Sequence, residues 1–446
     1  MNASLFLEYI DKYFRLVVGK ITEKFNDKNV EQTLLHKTML TEEYSADLNW
    51  GSTELNHSIV AADVVALDSS LPLKSRDKMG NATGKLPKLG LKMRKGEKLI
   101  SDINVMIARG AQEATIAAKI FDDPTKVIKS IDVRKEIMFL QALSTGTCLV
   151  DSDDENTGTG IRVDYGYKDE NKFKCVGKPW GQTDELPQDD IQQMFDKAQE
   201  DSNSIQHVYL SKKYFDLFRH SLQGKRLVAS YNNIVITEST ILPVPSRSAF
   251  LAALNDEFGA TFHIVDEVFQ VERADGTKVA VKPWEVANVV GVPAEQVGRL
   301  VYGTLAEETN PVAQVNYQKS GSHILVSKYS KTDPLEEFTS AQALCIPVID
   351  GASGIYLLQA NESGAVTVDP DTLSFEKAGG TKSVNFVCDS TVTATSSESW
   401  LTAEVSGSKV NATAGENASG KNRTAKITLT DSHGCTAVVN VSQAKA

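Results

Sequence analysis

Seven histidines, five cysteines and scattered serines and carboxylates are the groups in this 446-residue chain that could do chemistry, and their spacing never gathers them. His36, His57, His207, His220, His263, His323 and His433 nowhere stand at helix or strand spacing with a third ligand, as a zinc site requires. Cys148, Cys175, Cys345, Cys388 and Cys435 are odd in number and far apart, with neither metal-ligand spacing nor a disulfide framework. They read as small buried hydrophobes. A bridge between Cys388 and Cys435, on or beside expected strands, is left open, but a reducing cytoplasm disfavours it. The acidic run Asp151–Glu155 could draw calcium, yet it lacks the alternation and terminal glutamate of a calcium loop, so a solvated turn is the better reading. Gly158-Thr159-Gly160 has no preceding strand and no phosphate-binding lysine. No nucleophile stands with a base. Trp400 could stack on a sugar face as a glycan contact, although a lone tryptophan on a strand is more often core. The expectation is a protein that is not an enzyme, with no catalytic residue, cofactor or metal.

The elements that would position any site fall into two parts. The length calls for two or three domains. An apolar content of 41% and a charged content of 24% are ordinary for a globular chain, and a net charge of −11 argues against nucleic-acid binding as the main task. The first residues carry Glu8 and Asp11 within their apolar run, unlike a signal peptide, and no apolar run is long enough to span a bilayer, so a cytoplasmic product without membrane partners is expected.

Phe6, Ile10, Phe14, Val17 and Ile21 keep helical spacing over residues 4–25. Residues 98–146 read as helical, with a boundary at Asp123-Pro124, a stripe of Val133, Ile137 and Leu140, and Gly146 as the stop. Between them, residues 71–98 hold nine basic side chains against two acidic ones in an otherwise acidic protein, broken by Gly80, Gly84, Pro87 and Gly90. This segment reads as a solvated loop, or as a basic arm that lies on an acidic neighbour. Helices and strands then alternate irregularly to residue 350, including a helix from Leu186 to Ser202, a strand at 207–210, a helix over Lys212–His220, a strand over Asn233–Thr237, a helix capped by Ser246 and a hairpin turning at 274–276. The pattern is α+β. After about residue 360, short alternating runs rich in Ser, Thr, Gly and Val suggest about seven strands, an all-β immunoglobulin-like sandwich.

Several segments, in order, carry a resemblance. Arg134 through Gly146 is followed by Val163-Asp164-Tyr165-Gly166. Trp180 precedes an acidic helix with Asp189, Asp190 and Ile191. Val208-Tyr209-Leu210-Ser211, Gly298-Arg299-Leu300-Val301-Tyr302-Gly303 and Lys331-Thr332-Asp333-Pro334 follow. Together they resemble the lambda-type major capsid protein E family of tailed phages, which has the Hong Kong ninety-seven type fold. The tail resembles a second family, the Bacteroidetes-associated carbohydrate-binding (BACON) domain, through Leu373-Ser374-Phe375, Ala378-Gly379-Gly380, Ser399-Trp400-Leu401-Thr402, Asn417-Ala418-Ser419, Arg423-Thr424-Ala425 and Val441-Ser442-Gln443.

The resemblance implies an extended basic loop at 61–98; residues 1–60, read as an N-terminal arm or helix, depart from the family arm. It implies a peripheral domain with a spine helix at 99–204 and 296–350, an axial domain at 205–295, and the sandwich at 364–446. It further implies a major capsid protein whose hexamers and pentamers close into an icosahedral shell. Its partners would be itself, scaffold and portal proteins, packaged double-stranded DNA held without sequence-specific contacts, and surface glycans. It would be assembled in the host cytoplasm and found in the virion. Lys85, Lys88, Lys92, Arg94 and Lys95 are then the expected inter-subunit loop residues. The rival readings are a carbohydrate-binding protein of a Bacteroidetes bacterium and a capsid-like nanocompartment.

Overall fold

The computed structural model describes residues 3–26, 34–53, 79–150, 160–235, 242–273, 275–363, 366–388, 391–431 and 436–445, the side chains of 24–26, 53, 79–81 and 363 excepted. Among them the apolar side chains collect into three cores.

The first core is built around a long strand, Leu335–Ile349, which pairs with Ile324–Thr332 on one side. On its other side it pairs with Lys88–Lys95 and, further along, with Gly298–Gly303. Leu40–Tyr44 extends this sheet in parallel beside Gly298–Gly303, and Asn316–Ser320 closes the far edge. Against the sheet lies the spine helix, Asp122–Thr145, with Val127, Ile128, Ile131, Met138, Phe139, Leu140 and Leu143 buried. Its second half is buried nearly all round, because a helix wedged between layers needs apolar residues on every face. Gly146 ends it in the left-handed conformation (φ 75°), its N–H on the Ala142 carbonyl. The helix starts at Asp122 rather than behind an Asp123 cap, and Pro124 sits inside the first turn, where its missing N–H has no intrahelical partner to lose. The first helix, Leu7–Asn26, docks Ile10, Phe14 and Val18 into the same core.

The second core lies under a five-stranded sheet ordered Lys172–Cys175, Tyr356–Ser363, Asn288–Val292, His207–Ser211 and Thr261–Val265. The helices Pro187–Glu200, Lys212–His220, Leu222–Tyr231 and Arg247–Phe258 contribute to this core. Ser246 caps the last of them by accepting from Ala249 N–H. The core runs from Cys175 to Ala360, so it takes in segments on both sides of the expected axial domain at 205–295. The cause is the pairing of Asn288–Gly291 with Tyr356–Gln359, which brings distant stretches of chain into one sheet. The expected strand at Asn233–Thr237 is not present over 233–235. There Asn233 takes a positive φ of 54° and Ile234 N–H returns to the Ala229 carbonyl, wrapping the helix end; residues 236 and 237 lie outside the described residues.

The third core fills a sandwich of two four-stranded sheets, residues 367–443. One holds Thr367–Asp369, Gly380–Val387, Lys409–Ala414 and Leu401–Ser406; the other holds Thr372–Phe375, Thr436–Gln443, Arg423–Asp431 and Val392–Ser396. Thr372–Phe375 is a strand the local alternation did not reveal. Phe375 and Phe386 are buried, as a sandwich core requires. The chain is thus α+β through the first two cores, followed by an all-β immunoglobulin-like sandwich.

The expected loop at 61–98 is divided differently. Asn49–Thr53 and Met79–Lys85 pair antiparallel as a stem, and the chain between them, 54–78, lies outside the described residues. Residues 88–95 are a strand of the main sheet, and a helix begins at Glu97.

Candidate functional site

The groups able to do chemistry are dispersed or buried. Cys148, Cys175 and Cys345 are fully buried, and burial pushes the thiols of Cys148 and Cys345 up to about 12, which removes them as nucleophiles. Among the described residues no group of three or more His, Cys, Asp or Glu side chains is placed to hold a metal ion. The acidic run Asp151–Glu155 and Gly158-Thr159 lie outside them, as does Cys435. His207 and His263 meet ring to ring at 3.1 Å, and His263 stacks on Tyr209.

The two buried histidines among the described residues, His36 and His323, belong to a clamp that holds residues 34–44 on the spine helix. The Glu136 carboxylate, fully buried, accepts from Leu35 N–H (2.8 Å) and His36 N–H (2.9 Å) and lies 2.6 Å from His36 Nδ1. One turn earlier, Asp132 pairs with Lys135 (2.6 Å) and Lys37 (2.9 Å). Burial opposes ionisation of Asp132, but the two lysines hold its carboxyl down at about 2. Lys135 also donates to His323 Nε2 at 2.9 Å, and burial together with that ammonium lowers His323 to about 3. An imidazole that accepts from an ammonium must be neutral.

A second buried polar group fastens the N-terminus. Glu337 accepts from the Ser4 hydroxyl and from Leu5 N–H (3.0 Å), and Lys328 lies 3.5 Å away, also fully buried. Ser330 donates to the Ala3 carbonyl at 2.5 Å. Sequence reasoning found neither group, because the contacts that complete each one, His36 and Lys37 to the spine helix and Ser4 to Glu337, span about a hundred residues or more, and nothing local marks a glutamate that will be buried.

The five expected inter-subunit cations do not share one surface. Lys85 ends the stem and is exposed. Lys88, Lys92 and Arg94 alternate along one face of the Lys88–Lys95 strand and are exposed. Lys88 approaches Glu307 at 3.9 Å, Lys92 lies over the Phe338 ring at 4.9 Å, and Arg94 pairs with Glu336 at 2.8 Å. Lys95 is a correction: it points to the opposite face, is buried, and pairs with the buried Asp123 of the spine helix. It holds its own subunit together and is not available to a neighbour. Charged residues on the Lys88–Lys95 strand also discourage unwanted strand addition.

Large apolar side chains without cover stand elsewhere. Tyr231, Ile234, Val235 and Val244 flank residues 236–241, and Val235 is 82% exposed. Leu99, Val105 and Ile107 are exposed on the helix Glu97–Ala108.

Trp400 does not offer a free ring. It is half-buried against the sandwich core, and the Arg423 guanidinium covers it at 4.2 Å. Arg423 is fixed there by donating to Gln443 Oε1 (2.8 Å) and the Gly415 carbonyl (2.8 Å). The Trp400 ring thus packs against the sandwich core and carries Arg423 over it.

The family model for phage major capsid protein E matches residues 18–356, and a second model, BACON, described as "Putative binding domain, N-terminal", matches residues 389–444. The chain belongs to the phage major capsid protein E family. It is a phage capsid protein, a component of the virion, that carries a BACON domain at its C-terminal end. Similar solved structures include a phage-related protein from Bordetella bronchiseptica RB50 (13% identity, 77% of this chain and 97% of that one, TM-score 0.45). The satellite phage P4 procapsid including the size determination (Sid) protein is another (8% identity, 76% and 97%, TM-score 0.40). A Bacteroides ovatus GH5 xyloglucanase in complex with a XXXG heptasaccharide matches over 18% of this chain and 19% of its own (25% identity, TM-score 0.18). No curated protein sequence matches. Family membership rests on the family model.

Proposed function

We propose that this chain is the major capsid protein of a tailed phage of a Bacteroidetes host. Copies join as hexamers and pentamers and close into an icosahedral shell around double-stranded DNA. The match of the capsid family over residues 18–356 carries this reading. The architecture supports it: a spine helix on a long sheet, a stem launched from that sheet, and exposed apolar and basic side chains that the single subunit leaves uncovered. The net charge of −11 suits a container, because an acidic wall does not hold the packaged polyanion.

Lys85, Lys88, Lys92 and Arg94 serve contacts between subunits, and Lys95 does not. The sandwich faces outward as a decoration. If it takes a surface glycan, it does so on a face other than Trp400, whose ring is occupied by Arg423 and the core. Scaffold and portal proteins are further partners, and assembly takes place in the host cytoplasm.

The test is to purify particles from a producing culture, identify this chain in them by mass spectrometry, and treat them with nuclease. Protected double-stranded DNA inside particles built mainly of this chain is expected. Particles in which the chain is a minor component, or whose DNA is fully digested, would overturn the reading.

A further inference from the structure

The stem Asn49–Thr53/Met79–Lys85 leaves the main sheet at a root held by three independent devices. The first is steric. Trp50 faces Gly84 across the ladder and is buried, with its ring 6.2 Å from that of Tyr165. A Cβ at position 84 would meet Trp50 Nε1 at 3.0 Å and Cε2 at 3.1 Å, so a side chain there would push the indole back by a few tenths of an ångström. Tyr165 is itself fixed, its hydroxyl donating to the Pro347 carbonyl and its N–H to the Gly146 carbonyl.

The second device is a guanidinium. Arg299 forks onto Asp350, Nε to Oδ2 at 2.6 Å and Nη2 to Oδ1 at 2.9 Å. Its Nη1 donates to Glu43, and its Nη2 also donates to the Gly51 carbonyl at 2.9 Å. One side chain thus ties the first strand of the sheet, the end of the long strand and the backbone of the stem. The third device is a small crossing. Leu86 N–H donates to the Leu48 carbonyl at 2.9 Å, and the Leu48 side chain lies where a Cβ on Gly303 would meet it at 2.4 Å. Arg299 and Gly303 both belong to the strand Gly298–Gly303.

We propose that Arg299, with Trp50 and Gly84, is an orientation lock: it sets the direction in which the stem leaves the subunit, and so how one copy meets the next. This rests on the capsid reading for its consequence, not for its geometry. Five residues of strand span about 17 Å, so a tilt of about 10° at the root moves the far end by about 3 Å. That is enough to break a packed contact. Lysine cannot replace Arg299, because a single ammonium lacks the planar fork that reaches Asp350 and Gly51 together.

The test compares Arg299→Lys and Gly84→Ala with the unaltered full chain. Hydrogen exchange is read at residues 49–53 and 82–85, with the spine helix and the sandwich as internal references, and particle yield and shape are read by electron microscopy. Both variants should exchange at least tenfold faster in the stem, unchanged in the references, and give few or misshapen particles. Trp50→Phe combined with Gly84→Ala should restore part of the yield and of the stem protection together, because the smaller ring leaves room for the methyl group. Unchanged stem exchange in both single variants would overturn the lock, as would loosened stems with normal particles. If the unaltered chain itself formed no particles, the capsid reading would fail while the exchange measurement still decided the lock. If Arg299→Lys did not fold, Gly84→Ala would decide alone.

Discussion

Charge reversal at Lys95 separates the surface of this subunit from its interior. Lys95 lies one residue after Arg94 and three after Lys92, yet it is 6% exposed and faces Asp123, which is 7% exposed. Removing one partner of a buried pair leaves the other charged in a poor solvent, at a cost of about 3–5 kcal/mol. Lys95→Glu also sets two carboxylates side by side, about 4 kcal/mol more at a separation of ~4 Å and an effective dielectric of ~20, until one takes up a proton. Set against a total stability of about 5–15 kcal/mol, either change endangers the first core. Urea unfolding followed by circular dichroism and by tryptophan emission measures this, since Trp50 and Trp284 both lie in that core. At about 1–3 kcal/mol per molar urea, Lys95→Met should lower the midpoint by more than ~1 M, and Lys95→Glu should lower it further. Lys95→Met with Asp123→Leu should recover most of the loss, as paired buried charges replaced by apolar groups usually do. Lys88→Glu, on an exposed side chain, should change the midpoint little. A Lys95→Glu protein with an unaltered midpoint would refute the reasoning.

Glu337→Ala should be destabilising by about 3–5 kcal/mol, because it strands the buried Lys328 and frees Ser4 and Leu5; limited proteolysis should then cut within the first helix. The fold of the first core should weaken as pH falls from about 6.5 toward 3. The folded state keeps His323 neutral, at about 3, while the unfolded chain takes up its proton near 6.5, so the stabilisation present above that pH is lost through the window; His323→Gln should flatten the slope in pH-dependent urea unfolding. Asp190 works in the opposite sense in the second core. Burial raises it to about 6 despite the Trp180 and Val176 donors, so stability present below its ordinary range is lost as pH rises through about 6, a change Trp180 emission should report. Trp400→Ala should lower the melting temperature of the sandwich transition by calorimetry. Val235→Asp should leave unfolding unchanged while reducing particle yield.

The helices and the sandwich were legible in the sequence because their signals are local. Val133, Ile137 and Leu140 repeat at helical spacing, Gly146 can take a positive φ, and alternation in the tail marks half-buried strands. The strand Lys88–Lys95 was not legible. Its lysines and glycine read as a solvated loop, and the partner that makes it a strand, Glu337–Leu344, lies about 250 residues later. The same distance hides Lys95, whose neighbours in sequence have its charge but whose pleat points it inward. Asn233–Thr237 looked like a strand by side-chain type, but at Asn233 and Ile234 the backbone closes a helix. Trp400 read as the start of a strand but lies in the turn just before Leu401–Ser406, and the arginine that covers it comes from the other sheet. For the candidate surface, composition located basic residues but not which side of a strand each takes.

The most direct test is negative-stain electron microscopy of the purified full-length protein, with sedimentation velocity over a range of concentrations. Closed shells, or regular hexamers and pentamers, are expected. A single monomeric species at every concentration, persisting after removal of residues 364–446, would contradict the account.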